Sequence, residues 1–160
     1  MKQPAITILL LEDNQYDAEL TLHELEQQGV VFDSLRAQDR EEFIQALEKK
    51  PDIILADYSL PQFNAREAIE LVNETGENIP VIVVSGTIGE ELAVEMMRHG
   101  AADYLMKDRL GRLSSAIQFA LETAELHRVN DQYTRELEES NARYKSLFED
   151  SPISLWEEDF

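Results

Sequence analysis

Four short stretches of the chain end in residues equipped for chemistry. They are "LLLEDN" (Leu9 to Asn14), "DIILADYSLP" (Asp52 to Pro61), "VIVVSG" (Val81 to Gly86) and "DYLMK" (Asp103 to Lys107). In each, an apolar run delivers a polar group at its C-terminal end: Glu12 and Asp13, then Asp57, then Ser85, then Lys107. Three carboxylates gathered at one edge repel one another unless a cation or a raised pKa relieves them. Oxygen donors without His or Cys favour a hard ion, best matched by Mg²⁺ with several waters retained. A metal beside a lysine is a site for phosphate oxygens, and a carboxylate next to it can act as a nucleophile. Taken singly, each residue also has a plainer role. Asp13 or Asn14 can cap a helix, Asp57 can sit in a turn, and Lys107 can be a solvated charge.

The elements that would position these residues follow from two alternating hydrophobic periods. "AITILLL" (Ala5 to Leu11) and "IILAD" (Ile53 to Asp57) are continuous apolar runs, the pattern of parallel strands buried on both faces. "VVFDSLRA", "IPVIVVS" and "ADYLMK" supply three more strands. Between them lie amphipathic stretches. One carries Tyr16, Leu20, Leu22 and Leu25 and ends at Gly29; another, capped by Asp39, carries Phe43, Ile44 and Leu47 and is broken by Pro51. Further helices are expected around Ala65 to Val72 and Glu90 to Arg98, closing at Gly76 and Gly100, and a last one from near Leu110. Strands alternating with helices imply an α/β fold with one parallel sheet covered on both faces. Ligands of such sheets bind beyond the carboxyl ends of the strands, where Glu12, Asp13, Asp57, Ser85 and Lys107 all fall.

The bulk properties narrow the partners. The chain has 160 residues, with 33 acidic against 14 basic side chains and a formal charge of -19. Such a balance disfavours direct contact with nucleic acid or an anionic membrane. The absence of cysteine rules out disulfides and thiolate metal sites and agrees with a cytoplasmic setting. The apolar runs fall far short of the ~18 residues of a membrane helix, and the first of them reads as a strand rather than a signal peptide.

The four motifs, in this order and spacing, resemble the response-regulator receiver domain of two-component signalling over residues 5 to about 120. The resemblance implies a flavodoxin-like, doubly wound (βα)5 fold with strand order 2-1-3-4-5. It implies that Asp57 is the phosphoacceptor and that Glu12, Asp13, Asp57 and the backbone carbonyl of Ser59 hold Mg²⁺. Ser85 would bond a phosphoryl oxygen, Lys107 would pair with another, and Tyr104 would turn inward as the switch residue. The implied phosphodonor is a histidine kinase or a phosphotransfer protein. Glu for Asp in the acidic pair and Ser for Thr at the hydroxyl retain the required groups. A flavin or nucleotide carrier of the same fold would present glycines and backbone N–H groups on the first loop, where this chain presents carboxylates. A Mg²⁺-dependent phosphatase would carry its nucleophile after the first strand rather than the third. A receiver-shaped interaction module that is never phosphorylated remains an alternative, as does a fragment of a hybrid sensor histidine kinase.

Beyond about Leu113 neither glycine nor proline interrupts a long helical pattern that reaches Phe148. The expected organisation is a receiver domain over 1–122, a helical coiled-coil linker over 123–148 and the incomplete start of a PAS domain over 149–160. That last assignment rests on the resemblance of "ARYKSLFEDSPISLWEEDF" to a PAS opening. The heptad seam reads Phe119, Thr123, Leu126, Asn130, Tyr133, Leu137, Ser140, Tyr144 and Leu147, which implies a weak parallel homodimer. "LHRVN" (Leu126 to Asn130) has a faint likeness to a histidine-kinase phosphoacceptor stretch, and His127 is read as a helix-surface histidine.

Overall fold

A computed structural model of the chain describes residues 5–86 and 89–149, with side chains described through Lys145. The first strand, β1 (Ile6–Leu11), is apolar except for Thr7, and its last four residues are buried. Around it lie β2 (Phe32–Ala37), β3 (Ile53–Asp57), β4 (Val81–Ser85) and β5 (Asp103–Met106), all parallel, in the order β2-β1-β3-β4-β5. The doubly wound order expected from the resemblance is therefore present. β3 and β4 are buried along their whole length, which is why their sequences are continuous apolar runs rather than alternating ones.

The helices are α1 (Gln15–Gln27), α2 (Arg40–Leu47), α3 (Ala65–Thr75), α4 (Glu90–His99) and α5 (Leu113–Glu149), the last preceded by a short 3-10 turn at Leu110–Arg112. One face of the sheet packs Leu9, Leu11, Ile54 and Val83 against Phe43 of α2, Ile69 and Val72 of α3 and Met96 of α4. The other packs Ile8, Leu10, Leu55 and Val84 against Ala18 and Leu25 of α1 and Leu113, Ile117 and Ala120 of α5. Leucines of β1 alternate between the two cores because successive strand side chains point to opposite faces.

Local chemistry sets the helix ends. Asn14, Asp39 and Asn64 each accept the N–H of the residue three positions on, so the first cap is Asn14 and not Asp13. α4 stops at Gly100, whose φ of 109° is in the left-handed region. A Cβ there would meet Asn73 and Ile69 only at 3.7 Å, so the requirement for glycine comes from the backbone and not from crowding. The structure corrects several boundaries. β2 begins at Phe32 rather than Val30, because β1 offers its first register partner, Ile6, only there. α3 runs past Val72 to Thr75, and β5 ends at Met106, leaving Lys107 just beyond the strand.

The described chain divides into two compact units after Ala124. α5 is one uninterrupted helix of 37 residues, and every described side chain from Glu125 to Lys145 is exposed. The expected PAS opening falls on residues 149–160, of which 150–160 lie outside the described residues. Among the described residues no helix is long and apolar enough to cross a membrane.

Candidate functional site

The register of the sheet builds the site. Leu11 pairs with Ala56, so the next residues, Glu12 and Asp57, emerge side by side where the chain order reverses between β1 and β3. Asp57 pairs with Val84 and Ser85 with Met106, which places Ser85 and Lys107 along the same carboxyl edge. The N–H of Lys107 donates to the Ser85 carbonyl at 2.9 Å, and the N–H of Tyr58 to the Val84 carbonyl at 3.2 Å. Short-range ladder bonds thus continue just past the strand ends and hold the polar residues in place.

Glu12, Asp13 and Asp57 bring one carboxylate oxygen each to within 4.8 Å of one another. Glu12 and Asp57 are buried and Asp13 is exposed. Lys107 Nζ bridges them, at 2.8 Å from Glu12 Oε1 and 3.0 Å from Asp57 Oδ2. Asp57 Oδ1 accepts the Ser59 N–H at 2.9 Å, and Glu12 Oε2 accepts the Asn14 N–H at 3.3 Å. Both oxygens of each buried acid are therefore engaged. Ser85 is fully buried, and Tyr104 is half-buried against the core that contains Met96.

Burial pushes the Glu12 carboxyl up to about 7; the Lys107 ammonium pulls it down, but Asp57 adds to the rise. Burial also works against charge on Lys107, but the hydrogen bonds it donates to Asp17, Glu12 and Asp57 outweigh this and hold the amine well above its usual range. Lys107 thus carries its charge throughout the physiological range, while Glu12 keeps its proton until the pH nears neutrality or a cation arrives. The all-oxygen donor set and the surplus of acids over bases fit a hard divalent cation.

Two participants were missing from the sequence reading. Asp17, in the first turn of α1, places Oδ2 2.8 Å from Lys107 Nζ. Arg36, on β2, donates from Nε to the Glu12 carbonyl at 3.0 Å and from Nη2 to the Asp13 carbonyl at 3.1 Å, clamping the acidic loop by its backbone. Asp17 stands in the first turn of the helix that directly follows the Glu12-Asp13 pair, and that closeness in the chain was the one available signal. Arg36 was concealed in a strand whose neighbour is known only from the topology.

The comparisons with known proteins agree with this architecture. LuxO, a regulatory protein of Vibrio cholerae, is 36% identical over 59 residues, covering 37% of this chain and 13% of LuxO. The transcriptional regulatory protein YcbL of Bacillus subtilis is 30% identical over 129 residues, 76% of this chain and 56% of YcbL. The response regulator protein TodT of Pseudomonas putida is 33% identical over 95 residues, 59% of this chain and 40% of TodT. The chain thus spans little more than half of these relatives at most. Among solved structures, NtrX of Brucella abortus superposes with a TM-score of 0.70 at 25% identity, over 81% of this chain and 30% of NtrX. A response regulator receiver domain protein of Clostridium thermocellum superposes at 0.67 and 22% identity, over 76% of this chain and 98% of that one. The family model described as the response regulator receiver domain matches residues 8–118. With that match reaching into all five strands and including the acidic edge they build, the chain belongs to the response regulator receiver domain family of two-component signalling.

Proposed function

We propose that Asp57 accepts a phosphoryl group from a phosphohistidine on a histidine kinase or phosphotransfer partner. The observation that carries this reading is the Lys107 ammonium bridging Glu12 and Asp57 at 2.8 and 3.0 Å, at the switch point of the sheet. Glu12, Asp13, Asp57 and the Ser59 carbonyl would hold Mg²⁺, which when bound offsets the charge of the phosphoryl oxygens and of the attacking carboxylate. One Asp57 oxygen attacks phosphorus, an acyl phosphate O–P bond forms, and the N–P bond of the donor breaks. The bonding pair departs with the imidazole, which takes a proton from solvent. Lys107 receives a phosphoryl oxygen in place of the Asp57 carboxylate, and Ser85 donates its hydroxyl to another.

Movement of Ser85 toward the new oxygens frees space for Tyr104 to turn inward, so a covalent charge shifts a two-state equilibrium. The product of the reaction is then a conformation. We further assign residues 1–122 to the receiver and 123–148 to a signalling helix that pairs weakly with a second copy. Residues 149–160 would open a PAS-linked output. Exposed Phe119, Leu126, Tyr133, Leu137 and Tyr144 at heptad spacing support the pairing.

Intact mass after incubation with Mg²⁺ and acetyl phosphate tests the phosphoacceptor. One added phosphoryl group is expected in the wild type and none in Asp57→Asn. No gain in the wild type would leave a receiver-shaped interaction module instead, and a gain retained in Asp57→Asn would move the acceptor elsewhere.

A further inference from the structure

A lysine ammonium has three N–H donors and no acceptor. Lys107 directs Nζ at three carboxylates: Glu12 at 2.8 Å, Asp17 at 2.8 Å and Asp57 at 3.0 Å. These partners differ in their other duties. Glu12 and Asp57 belong with Asp13 to the cluster that fits a cation, and Asp57 is also the proposed nucleophile. Asp17 belongs to neither set. Its backbone is fixed from both sides: its N–H donates to Asn14 Oδ1 at 3.0 Å, and its carbonyl accepts the Thr21 hydroxyl at 3.0 Å. Its side chain is 33% exposed, and its Oδ2 lies near enough to hold the amine. Were a cation and a phosphoryl group to engage Glu12 and Asp57, Asp17 would be the carboxylate left to Lys107.

We propose that Asp17 is a positioning residue that moors the Lys107 ammonium to the start of α1, keeping it aimed at Asp57 while the other two partners change. This rests on the reading of Asp57 as phosphoacceptor. A rival effect has the opposite sign. Removing any negative charge near the crevice lowers repulsion toward an anionic phosphodonor and would speed the reaction. Because Asp17 is already paired with an ammonium and partly exposed, that relief is small, and loss of positioning dominates.

The experiment compares the wild-type chain with Asp17→Asn and Asp17→Glu. The first readout is the ¹⁵Nζ resonance and proton-exchange rate of Lys107 by NMR, assigned by its absence in Lys107→Ala, in metal-free unphosphorylated protein. Asp17→Asn should shift this resonance and speed exchange of its protons, and Asp17→Glu should restore part of both. The second is the rate of phosphorylation by acetyl phosphate at saturating Mg²⁺. Asp17→Asn should lower it about tenfold, the equivalent of one lost charge-assisted hydrogen bond, with the Mg²⁺ concentration for half-maximal rate unchanged. Asp17→Glu should recover part of the rate. An unchanged Lys107 signal, or a rate equal to or above wild type in Asp17→Asn, would overturn the proposal. A wild type that takes no phosphoryl group would instead remove the phosphoacceptor reading, while the NMR comparison would still decide whether Asp17 moors the ammonium.

Discussion

Glu12 shows how one buried side chain links protonation, folding and metal binding. Its carboxyl rises from 4.5 in the unfolded chain to about 7 in the folded one, first through burial and then through Asp57. Between those values the folded state binds the extra proton, so this residue's contribution to stability falls as pH rises from 4.5 to about 7 and is level above. In metal-free protein the denaturation midpoint of the wild type should therefore decline across that window relative to Glu12→Gln. Asp103 acts in a different window. Its own burial would raise it, but the Arg112 guanidinium and the Tyr104 N–H hold it below 3.8, so it adds stability that is lost only as pH drops past that value. A cation entering the cluster must displace the Glu12 proton. Titration with Mg²⁺ near pH 6 should release a proton that is absent from the same titration of Glu12→Gln, and apparent affinity should climb as pH approaches 7. Equal proton release by both proteins would show that another group carries the linkage.

At the scale of elements, the root of α5 is held by two devices of unequal weight. Gln28, just past the end of α1, donates to the Leu110 carbonyl at 2.7 Å and accepts the Ser114 N–H at 2.7 Å. It satisfies one of the four N–H groups that the first turn of a helix leaves without an internal partner. Gln28→Ala leaves that half-buried N–H and the carbonyl less well partnered. A loss of about 1–3 kcal/mol is expected in chemical denaturation. Arg112 makes a two-pronged bond to Asp103 and reaches the Tyr104 carbonyl at 3.3 Å. Its side chain is 56% exposed. Arg112→Ala should cost under about 1 kcal/mol, as exposed ion pairs do. The ordering matters more than the values: if Arg112→Ala proves the more damaging, the ion pair rather than the amide anchors the helix.

For the molecule as a whole, the decisive contrast lies along α5. Leu113, Ala116, Ile117 and Ala120 are buried against the sheet, whereas Leu126, Val129, Tyr133, Leu137 and Tyr144 are between 48% and 71% exposed. A helix with exposed apolar residues at heptad spacing gains by pairing, and Thr123, Asn130 and Ser140 on the seam keep that gain small. The proposed weak dimer should appear in sedimentation as a concentration-dependent rise in mass. Leu126→Lys with Leu137→Lys, and a chain stopped near Leu121, should both remain monomers that still accept phosphate. Identical sedimentation of all three would remove the dimeric helix. With a formal charge of -19, any such pairing should also strengthen as salt screens the repulsion between copies.

By itself the sequence determined what depends on neighbours within a few residues. Continuous apolar runs marked β1, β3 and β4, short polar side chains marked the caps at Asp39 and near Asn14, and glycines marked the ends of α3 and α4. The acids and the lysine at the strand ends could be read as one edge because a parallel sheet with this connectivity aligns its carboxyl ends. Tertiary structure alone decided the pairings across the chain. Asp17 meets Lys107 from 90 residues away, Gln28 meets Ser114 from 86, and Arg36 reaches the acidic loop from a strand 24 residues beyond Glu12. Each depends on the rotation of α1 or on the register of β2 against β1, and a hydrophobic period specifies a buried face without specifying which polar side chain at its rim meets which partner.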